Sequence, residues 1–248
     1  MVFFASLARI ILTVALFSVL RCCCHLFIFI YTNPIPQGRH VLDAIARFED
    51  ASEYDGLLHN GDLSYACGQG WIHEEWGTLT EPLASVLPYM VTQGNHEYDH
   101  DTSAFPTSAD RATWANGQYA NDAGGDCGIT YRKRFMMPPG TSSVASALSA
   151  PHVDAKPVKV GDTPAWYSVD IGHVHFVALT LETDFTNSSA QHAWISRDLA
   201  AVNRAHTPWI VVALHRHIFS AGEWAGGLIE KEQAELEPLF MQGTSFGS

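Results

Sequence analysis

The chain has 248 residues, of which 47% are hydrophobic and 16% are charged, and its formal net charge is -12. This length suits one α/β domain with a single substantial core, and the composition excludes a disordered chain. Because an acidic surface repels a phosphate backbone, we expect no nucleic-acid partner. An anionic ligand would need a strong local cation, and the thirteen histidines direct attention to metal ions.

The first 32 residues differ from the rest of the chain. Residues 10–20 form an uncharged apolar run preceded by Arg9, which is typical of a secretory leader, and residues 26–31 form a second apolar run. No small-x-small cleavage site follows the first run, and the two runs together are long enough for a membrane anchor with Arg21 near its centre. Residues 1–32 are therefore predicted to be a signal peptide, a membrane anchor, or non-native sequence from an incorrect gene start.

A Pro- and Gly-containing break at residues 33–38 precedes the first predicted elements of the domain. Hydrophobic periodicity then predicts two helices and two strands. They are a helix over 41–52, a strand over 56–59, a helix over 72–87 that is bent or split at Pro82, and a strand over 89–92.

Residues 97–164 are rich in Gly, Pro, Asp, Ser and Ala, and we interpret them as a wall of a substrate cleft. The aromatic and β-branched stretches at 165–171 and 174–180 predict a hairpin. A helix capped by Ser188 or Ser189 follows to residue 204, and 209–214 is predicted to be a buried strand.

Three predicted strands are each followed by a polar side chain that can bind a metal: Asp62, Asn95 and His215. In open α/β sheets, ligands bind beyond the carboxyl ends of the strands. We therefore expect a mixed-sheet α/β sandwich with these three strands at its centre, and one cleft on which the three side chains converge.

The turn after the first of these strands reads Gly61-Asp62-Leu63-Ser64-Tyr65. A carboxylate at a sharp turn can bridge two cations, because each oxygen can serve one metal. Tyr65 can offer a phenolate, a hard oxygen donor that suits a ferric ion. The competing interpretation is a turn aspartate with a packed tyrosine.

The other two motifs supply nitrogen and amide donors. The Asn95 amide oxygen can bind a divalent metal without adding charge, and His96 can donate a proton or a hydrogen bond to a phosphate or a leaving group. His215 ends a buried strand, and His217 would point to the same side of an extended segment. A plain Gly-Asn turn and a satisfied structural histidine are the competing interpretations.

Taken in this order, the motifs resemble those of the purple acid phosphatases, within the calcineurin-like metallophosphoesterase superfamily, over about residues 40–248. The resemblance implies an α/β fold, a metallophosphoesterase-type sandwich of mixed β-sheets flanked by helices, truncated at both ends. It also implies hydrolysis of phosphate monoesters at acidic pH.

The resemblance further implies a role for each motif residue. Asp62 would bridge the two metals and Tyr65 would bind Fe(III). Asn95 and His215 would bind a divalent Zn, Mn or Fe, and His96 would contact the substrate. His217 is a candidate catalytic residue, although the family more often has proline there. The implied substrates are small phosphate esters or a phosphoprotein.

Two of the five metal-binding blocks of the family are not found in the sequence. The Asp-x-Gly block would fall at the end of the first core strand, where residues 29–34 contain no aspartate, and the Gly-His-x-His block would fall beyond residue 248. Three hypotheses follow for this chain: a metal-dependent acid phosphatase, a non-catalytic relative that binds phosphate or a protein, or an incomplete sequence of a normal enzyme, which would explain the missing blocks.

Two further features concern export. Asn187 begins the sequon Asn-Ser-Ser, which indicates N-glycosylation of a secreted protein. Cys67 and Cys127 lie outside the N-terminal region, and either a disulfide between them or two separate thiols is compatible with the sequence. We expect a secreted protein, extracellular or vacuolar, with a membrane-anchored protein as the alternative.

Overall fold

The computed structural model of the protein describes part of the chain: residues 2–5, 16–22, 25–31, 54–98, 123–124, 128–138, 165–183, 185–216, 218 and 228–242. Eight strands and four helices lie within these residues. In chain order they are β1 (Val2–Ala5), β2 (Leu16–Cys22), β3 (His25–Tyr31), β4 (Gly56–Asn60), α1 (Gly70–Ala84), β5 (Tyr89–Thr92), α2 (Ile129–Arg134), β6 (Tyr167–Ile171), β7 (Val174–Ala178), α3 (Ala190–Ala201), β8 (Trp209–Ala213) and α4 (Leu228–Gln242).

The described strands form two four-stranded sheets. The first has the order β1-β8-β7-β6, and the second has the order β2-β3-β4-β5. In the first sheet β8 is parallel to β1 and β7, whereas β6 is antiparallel to β7. In the second sheet β3, β4 and β5 run parallel, and β2 is antiparallel to β3. The mixed-sheet α/β sandwich expected from the sequence is confirmed.

The two sheets pack face to face through apolar side chains. Leu58 of β4 lies in one buried cluster with Phe176 of β7 and Val211 of β8. The outer face of the first sheet is covered by α3 and α4, through side chains that include Trp194 and Phe240. Because both of its faces are covered, every residue of β7 is buried, and a strand of this kind reads as a continuous apolar run.

The strand and hairpin predictions agree with the structure to within about two residues, with one exception. Strands β6 and β7 form the predicted hairpin, with Gly172 and His173 in its turn. The exception is β5, which was expected to be central and lies at the edge of its sheet among the described strands. The sequence of a four-residue strand does not indicate whether one or two other strands pair with it, because the pairing depends on segments that are distant in the sequence.

The helix predictions have a mixed outcome. Ser189 is the N-cap of α3, since its hydroxyl oxygen accepts the backbone N–H of His192 at 3.0 Å. Helix α1 continues through Pro82 to Ala84, so it is not split there, and the alternative of a bend at Pro82 stays a prediction. Helix α2 lies within residues 97–164, which were expected to lack regular structure, and it buries Tyr131. The predicted helix over 41–52 lies outside the described residues.

The backbone of the N-terminal region forms strands β1, β2 and β3, which pair within the two sheets. Within the part of the chain that is described, no helix has the length and hydropathy needed to cross a bilayer. The signal-peptide and anchor interpretations of residues 1–32 stay predictions.

Candidate metal centre

The side chains that follow β4, β5 and β8 lie together at one edge of the sandwich. His215 Nε2 lies 3.2 Å from Asp62 Oδ1 and 3.1 Å from Asn95 Oδ1. The side chain of Asn60, at the end of β4, ties the strands together at this edge. It donates to the Leu214 carbonyl at 2.6 Å and accepts from the Thr92 hydroxyl at 2.8 Å. The ends of three strands from two sheets are thus held against one another.

The two carboxylate oxygens of Asp62 face different groups. Oδ1 lies beside His215 Nε2 and accepts the backbone N–H of His96 at 3.2 Å. Oδ2 accepts the hydroxyl of Tyr65 at 2.7 Å. Asp62 therefore lies between two groups of possible metal ligands: His215, with Asn95 in contact with it, on one oxygen, and Tyr65 on the other.

The backbone of this turn is in a conformation that non-glycine residues rarely adopt. The φ angles of Asp62 and Tyr65 are 54° and 51°, in the left-handed region. A Cβ on Gly61 would lie 2.6 Å from His215 Nδ1, and one on Gly94 would lie 2.5 Å from Asp62 Oδ1. Glycine is required at both positions because the turns approach each other so closely.

His215 is oriented by its second ring nitrogen. Nδ1 lies 2.8 Å from the Asn60 carbonyl, which can only accept, so Nδ1 carries a proton and Nε2 faces Asp62 and Asn95. A histidine that binds a metal usually donates its other N–H in this way. Burial lowers the pKa of His215, but the charge of Asp62 and the hydrogen bond to it outweigh burial and raise that pKa to about 9.

The same pairing acts on the carboxylate. Burial raises the pKa of Asp62, but the charge of His215 and its hydrogen bond outweigh burial and hold that pKa below its usual range. His215 Nε2 faces the side-chain oxygens Asp62 Oδ1 and Asn95 Oδ1. These three atoms are the ligand atoms that a cation at this position would use.

His96 has an unsatisfied polar atom. Its ring lies against that of Tyr65, with a centroid distance of 4.4 Å. Its Nδ1 is buried and has no hydrogen-bond partner within the described part of the chain. An unpartnered buried polar atom costs about 1–3 kcal/mol, and each instance in a native structure calls for an explanation. A ligand in the cleft would supply that partner.

The sequence analysis assigned no role to Glu97, although this residue directly follows His96. Its side chain is buried and accepts three backbone N–H groups from the turns that carry Asp62 and Asn95. Burial and the charge of Asp62 raise the pKa of Glu97 to about 7. The signal in the sequence was an acidic residue two positions after the candidate ligand Asn95. Only the fold reveals that this residue is buried and what it contacts.

The other predicted site residues lie outside this cluster or outside the described residues. Asn187 is exposed in the turn before α3, where its backbone N–H donates to Glu235. Cys67 is exposed, and its predicted partner Cys127 lies outside the described residues, as does His217. Glycosylation, the disulfide and a role for His217 stay predictions.

The donors at this edge can be compared with the two-metal centre that the resemblance implies. Among the described residues, no three His, Cys, Asp or Glu side chains group around one point, so a cation here depends also on amide and phenol oxygens. Asn95 and His215 with one oxygen of Asp62, and Tyr65 with the other, fit two cations on either side of the carboxylate. Their roles as ligands stay predictions.

Comparison with known proteins gives this geometry a context. The family model described as calcineurin-like phosphoesterase matches residues 35–239. The chain belongs to the calcineurin-like phosphoesterase family. The match includes Asp62, Tyr65, Asn95 and His215.

The individual relatives are purple acid phosphatases of Arabidopsis thaliana. The chain is 37% identical to probable inactive purple acid phosphatase 9 over 188 residues, which cover 75% of this chain and 27% of the relative. It is 34% identical to purple acid phosphatase 22 over 190 residues, which cover 77% of this chain and 36% of the relative.

A solved structure extends the likeness to the fold. The purple acid phosphatase PPD1 from yellow lupin (Lupinus luteus) seeds aligns with a TM-score of 0.58 and 26% identity, over 78% of this chain and 28% of that protein. The chain thus spans between about a quarter and just over a third of the length of these relatives. Purple acid phosphatases as a family contain a dinuclear metal centre.

Proposed function

We propose that this chain supplies part of the two-metal site of a phosphomonoesterase of the acid phosphatase class. The observation that carries the proposal is the division of side chains around Asp62: Tyr65 contacts one carboxylate oxygen, and His215, which also contacts Asn95, lies beside the other. A carboxylate with both oxygens engaged by different donor sets is suited to bridging two cations.

The donor chemistry suggests which ion each set would hold. A phenolate is a hard anionic donor, so Tyr65 would hold Fe(III), whereas the amide oxygen and imidazole of Asn95 and His215 suit a divalent Zn, Mn or Fe. When bound, such a pair neutralises charge on a phosphate and lowers the pKa of water. The protein would hold the ligands in place through strand ends that are already fixed to one another.

His96 would contribute from the chain itself. Its Nδ1 is buried with no partner among the described residues, and the ring is held by contact with Tyr65. A histidine placed beside the phosphate can hydrogen-bond a phosphoryl oxygen or donate a proton to the departing alcohol. General acid catalysis of this kind contributes about 10²–10⁴-fold to the rate.

The substrates we propose are small phosphate esters or a phosphoprotein. The net charge of -12 disfavours a nucleic-acid partner, and the exposed Asn187 sequon favours a secreted, extracellular or vacuolar protein. Attachment to a membrane through residues 1–32 is the alternative location.

A non-catalytic relative that binds phosphate or a protein is the second candidate. Strand β3 runs parallel to β4, with Ile30 beside His59, and it ends at the edge that carries Asp62. The family pattern has an aspartate there, whereas this sequence reads Tyr31-Thr32-Asn33. One of the most similar relatives is itself named a probable inactive purple acid phosphatase.

The two candidates are separated by metal content and turnover. We would purify the chain, supply Fe(III) with Zn(II) or Mn(II), measure bound metal, and assay a chromogenic phosphomonoester at acidic pH. The proposed enzyme binds metal and turns over, and His96→Ala keeps the metal while slowing turnover by about 10²–10⁴-fold. Metal and phosphate binding without turnover in the wild type would favour the second candidate instead.

A further inference from the structure

The carboxylate of Glu97 is buried and accepts three backbone hydrogen bonds. Its Oε2 accepts the N–H of Asp62 at 2.7 Å and that of Gly94 at 3.0 Å, and its Oε1 accepts the N–H of Leu63 at 2.7 Å. The side chain is 4% exposed. Because these three N–H groups are buried, loss of their acceptor would leave them without partners, so this set contributes to the local structure.

These bonds join two separate turns. Asp62 and Leu63 follow β4, whereas Gly94 follows β5 and precedes the candidate ligand Asn95. Glu97 is itself fixed at its backbone, because its N–H donates to the Gly94 carbonyl at 3.2 Å and its carbonyl accepts the N–H of Gly128 at 2.8 Å. We call this arrangement of Glu97 with the three amides the carboxylate clasp.

The clasp acts where the backbone is strained. A non-glycine residue in the left-handed region, such as Asp62, is strained and persists only when its surroundings hold it there. The approach of Gly94 to Asp62 leaves no room for a Cβ. An acceptor with two oxygens is required, because three N–H groups converge and none of them can accept.

We infer that Glu97 is a positioning residue for the metal centre, since it holds Asp62 and Asn95 at their observed separation through the backbone of their turns. Its carboxylate oxygens are engaged by the three amides, so it acts through Asp62 and Asn95. The inference rests on the proposed function, because it concerns the ligands of the proposed metal centre.

The test compares Glu97→Gln with the wild type and with Asp198→Asn, a control that removes a different buried carboxylate in α3. Glutamine keeps the size of the side chain but replaces one acceptor oxygen by an NH₂ group that faces an N–H. Three quantities are measured: amide hydrogen exchange at Asp62, Leu63 and Gly94, binding of Zn(II) or Mn(II) by calorimetry, and the thermal midpoint.

In Glu97→Gln the three amides should exchange faster than in the wild type, and metal affinity should fall about 10–100-fold, as for loss of an outer-shell partner. Asp198→Asn should lower the thermal midpoint but leave the metal affinity and the three amides unchanged. If glutamine prevents folding, Glu97→Asp keeps the charge but shortens the side chain, and it should change both quantities in the same direction.

A Glu97 variant that binds metal as tightly as the wild type, or whose affinity falls no more than that of Asp198→Asn, would overturn the inference. Failure of the proposed function would look different. If the wild type takes up no cation, but its three amides are protected and Glu97→Gln releases them, the proposed function is overturned while the clasp itself is supported.

Discussion

Among the described residues there are two histidine–aspartate pairs in which both side chains are buried or partly buried, and the difference between them shows what separates a structural pair from a candidate functional one. His175 and Asp198 lie within β7 and α3, both in regular structure. His215 and Asp62 follow strands, and Asp62 adopts a left-handed backbone. The same two residue types occur in both pairs, but only the second is held in a strained turn.

The two pairs also differ in what the ring nitrogens of their histidines contact. In the first pair Nε2 of His175 lies 2.9 Å from Asp198 Oδ2, and Nδ1 lies 2.5 Å from Asp170 Oδ1. The other oxygen of Asp198 accepts the hydroxyl of Ser168 at 2.7 Å. Each ring nitrogen of His175 lies against a carboxylate oxygen, so neither is left for a metal. In the second pair, Nδ1 of His215 donates to a backbone carbonyl, and Nε2 faces the side-chain oxygens of Asp62 and Asn95.

The largest expected effect on stability comes from breaking the first pair. Asp198→Asn removes the carboxylate opposite the buried His175 ring, and loss of one partner of a buried pair typically costs about 3–5 kcal/mol of unfolding free energy. Urea denaturation of the variant and the wild type measures this cost. Metal uptake should be unchanged when it is measured below the unfolding transition, and a loss of uptake would mean that the two pairs are coupled.

An intermediate effect is expected at the close approach of the two turns. In Gly94→Ala the new methyl group would meet Asp62 Oδ1 at 2.5 Å and the Asp62 amide nitrogen at 2.6 Å, so the turns must move apart. Overpacking of this kind costs about 1–3 kcal/mol of unfolding free energy, and metal affinity should also fall because the ligands move.

Gly77→Ala in α1 is the matched control, since no atom lies within 4 Å of the added Cβ. Alanine should stabilise that helix by about 0.5–1 kcal/mol and leave metal affinity unchanged. Equal stability and equal metal affinity in Gly94→Ala and the wild type would show that the two turns can accommodate the added methyl group without moving apart.

Sequence patterns predicted strands β4 to β8, including the hairpin of β6 and β7, because alternation and chain breaks are local signals. The Ser189 cap of α3 was predicted for the same reason. The clasp of Glu97 was not, because its three partners are identified only when two separate turns meet. The strands of the N-terminal region were not predicted either, since an apolar run without strict alternation fits a leader, an anchor or a buried strand equally well.

The smallest effect expected is a pH dependence that belongs to the first pair. Burial lowers the pKa of His175, but the hydrogen bonds to Asp198 and Asp170 outweigh burial and raise that pKa above its usual value. The charged groups that face the ring are Asp170 of β6 and Asp198 of α3. Between the unfolded-state and folded-state pKa values, the folded protein binds more protons, so its stability falls as pH rises.

This contribution is fully present below about pH 6.5, the usual pKa of histidine, and is lost as pH rises through the folded-state pKa of His175. One proton gives a slope of at most about 1.4 kcal/mol per pH unit. Because Glu97 and His215 also have raised pKa values, the measurement is the difference in unfolding free energy between the wild type and His175→Gln across pH. A difference that does not change with pH would show that His175 is neutral in the folded protein.

The central claim is that Asp62 separates two donor sets, each of which holds its own cation. The most direct test is to count bound iron and divalent metal in the wild type and in Tyr65→Phe, together with the visible absorption of a phenolate bound to Fe(III). We predict that the wild type, with both ions supplied in excess, binds both metals loosely, because this chain supplies only part of the site, and shows the absorption. Tyr65→Phe should lose the absorption and most of the iron but keep the divalent ion. Equal iron content and equal absorption in the two proteins would contradict the claim.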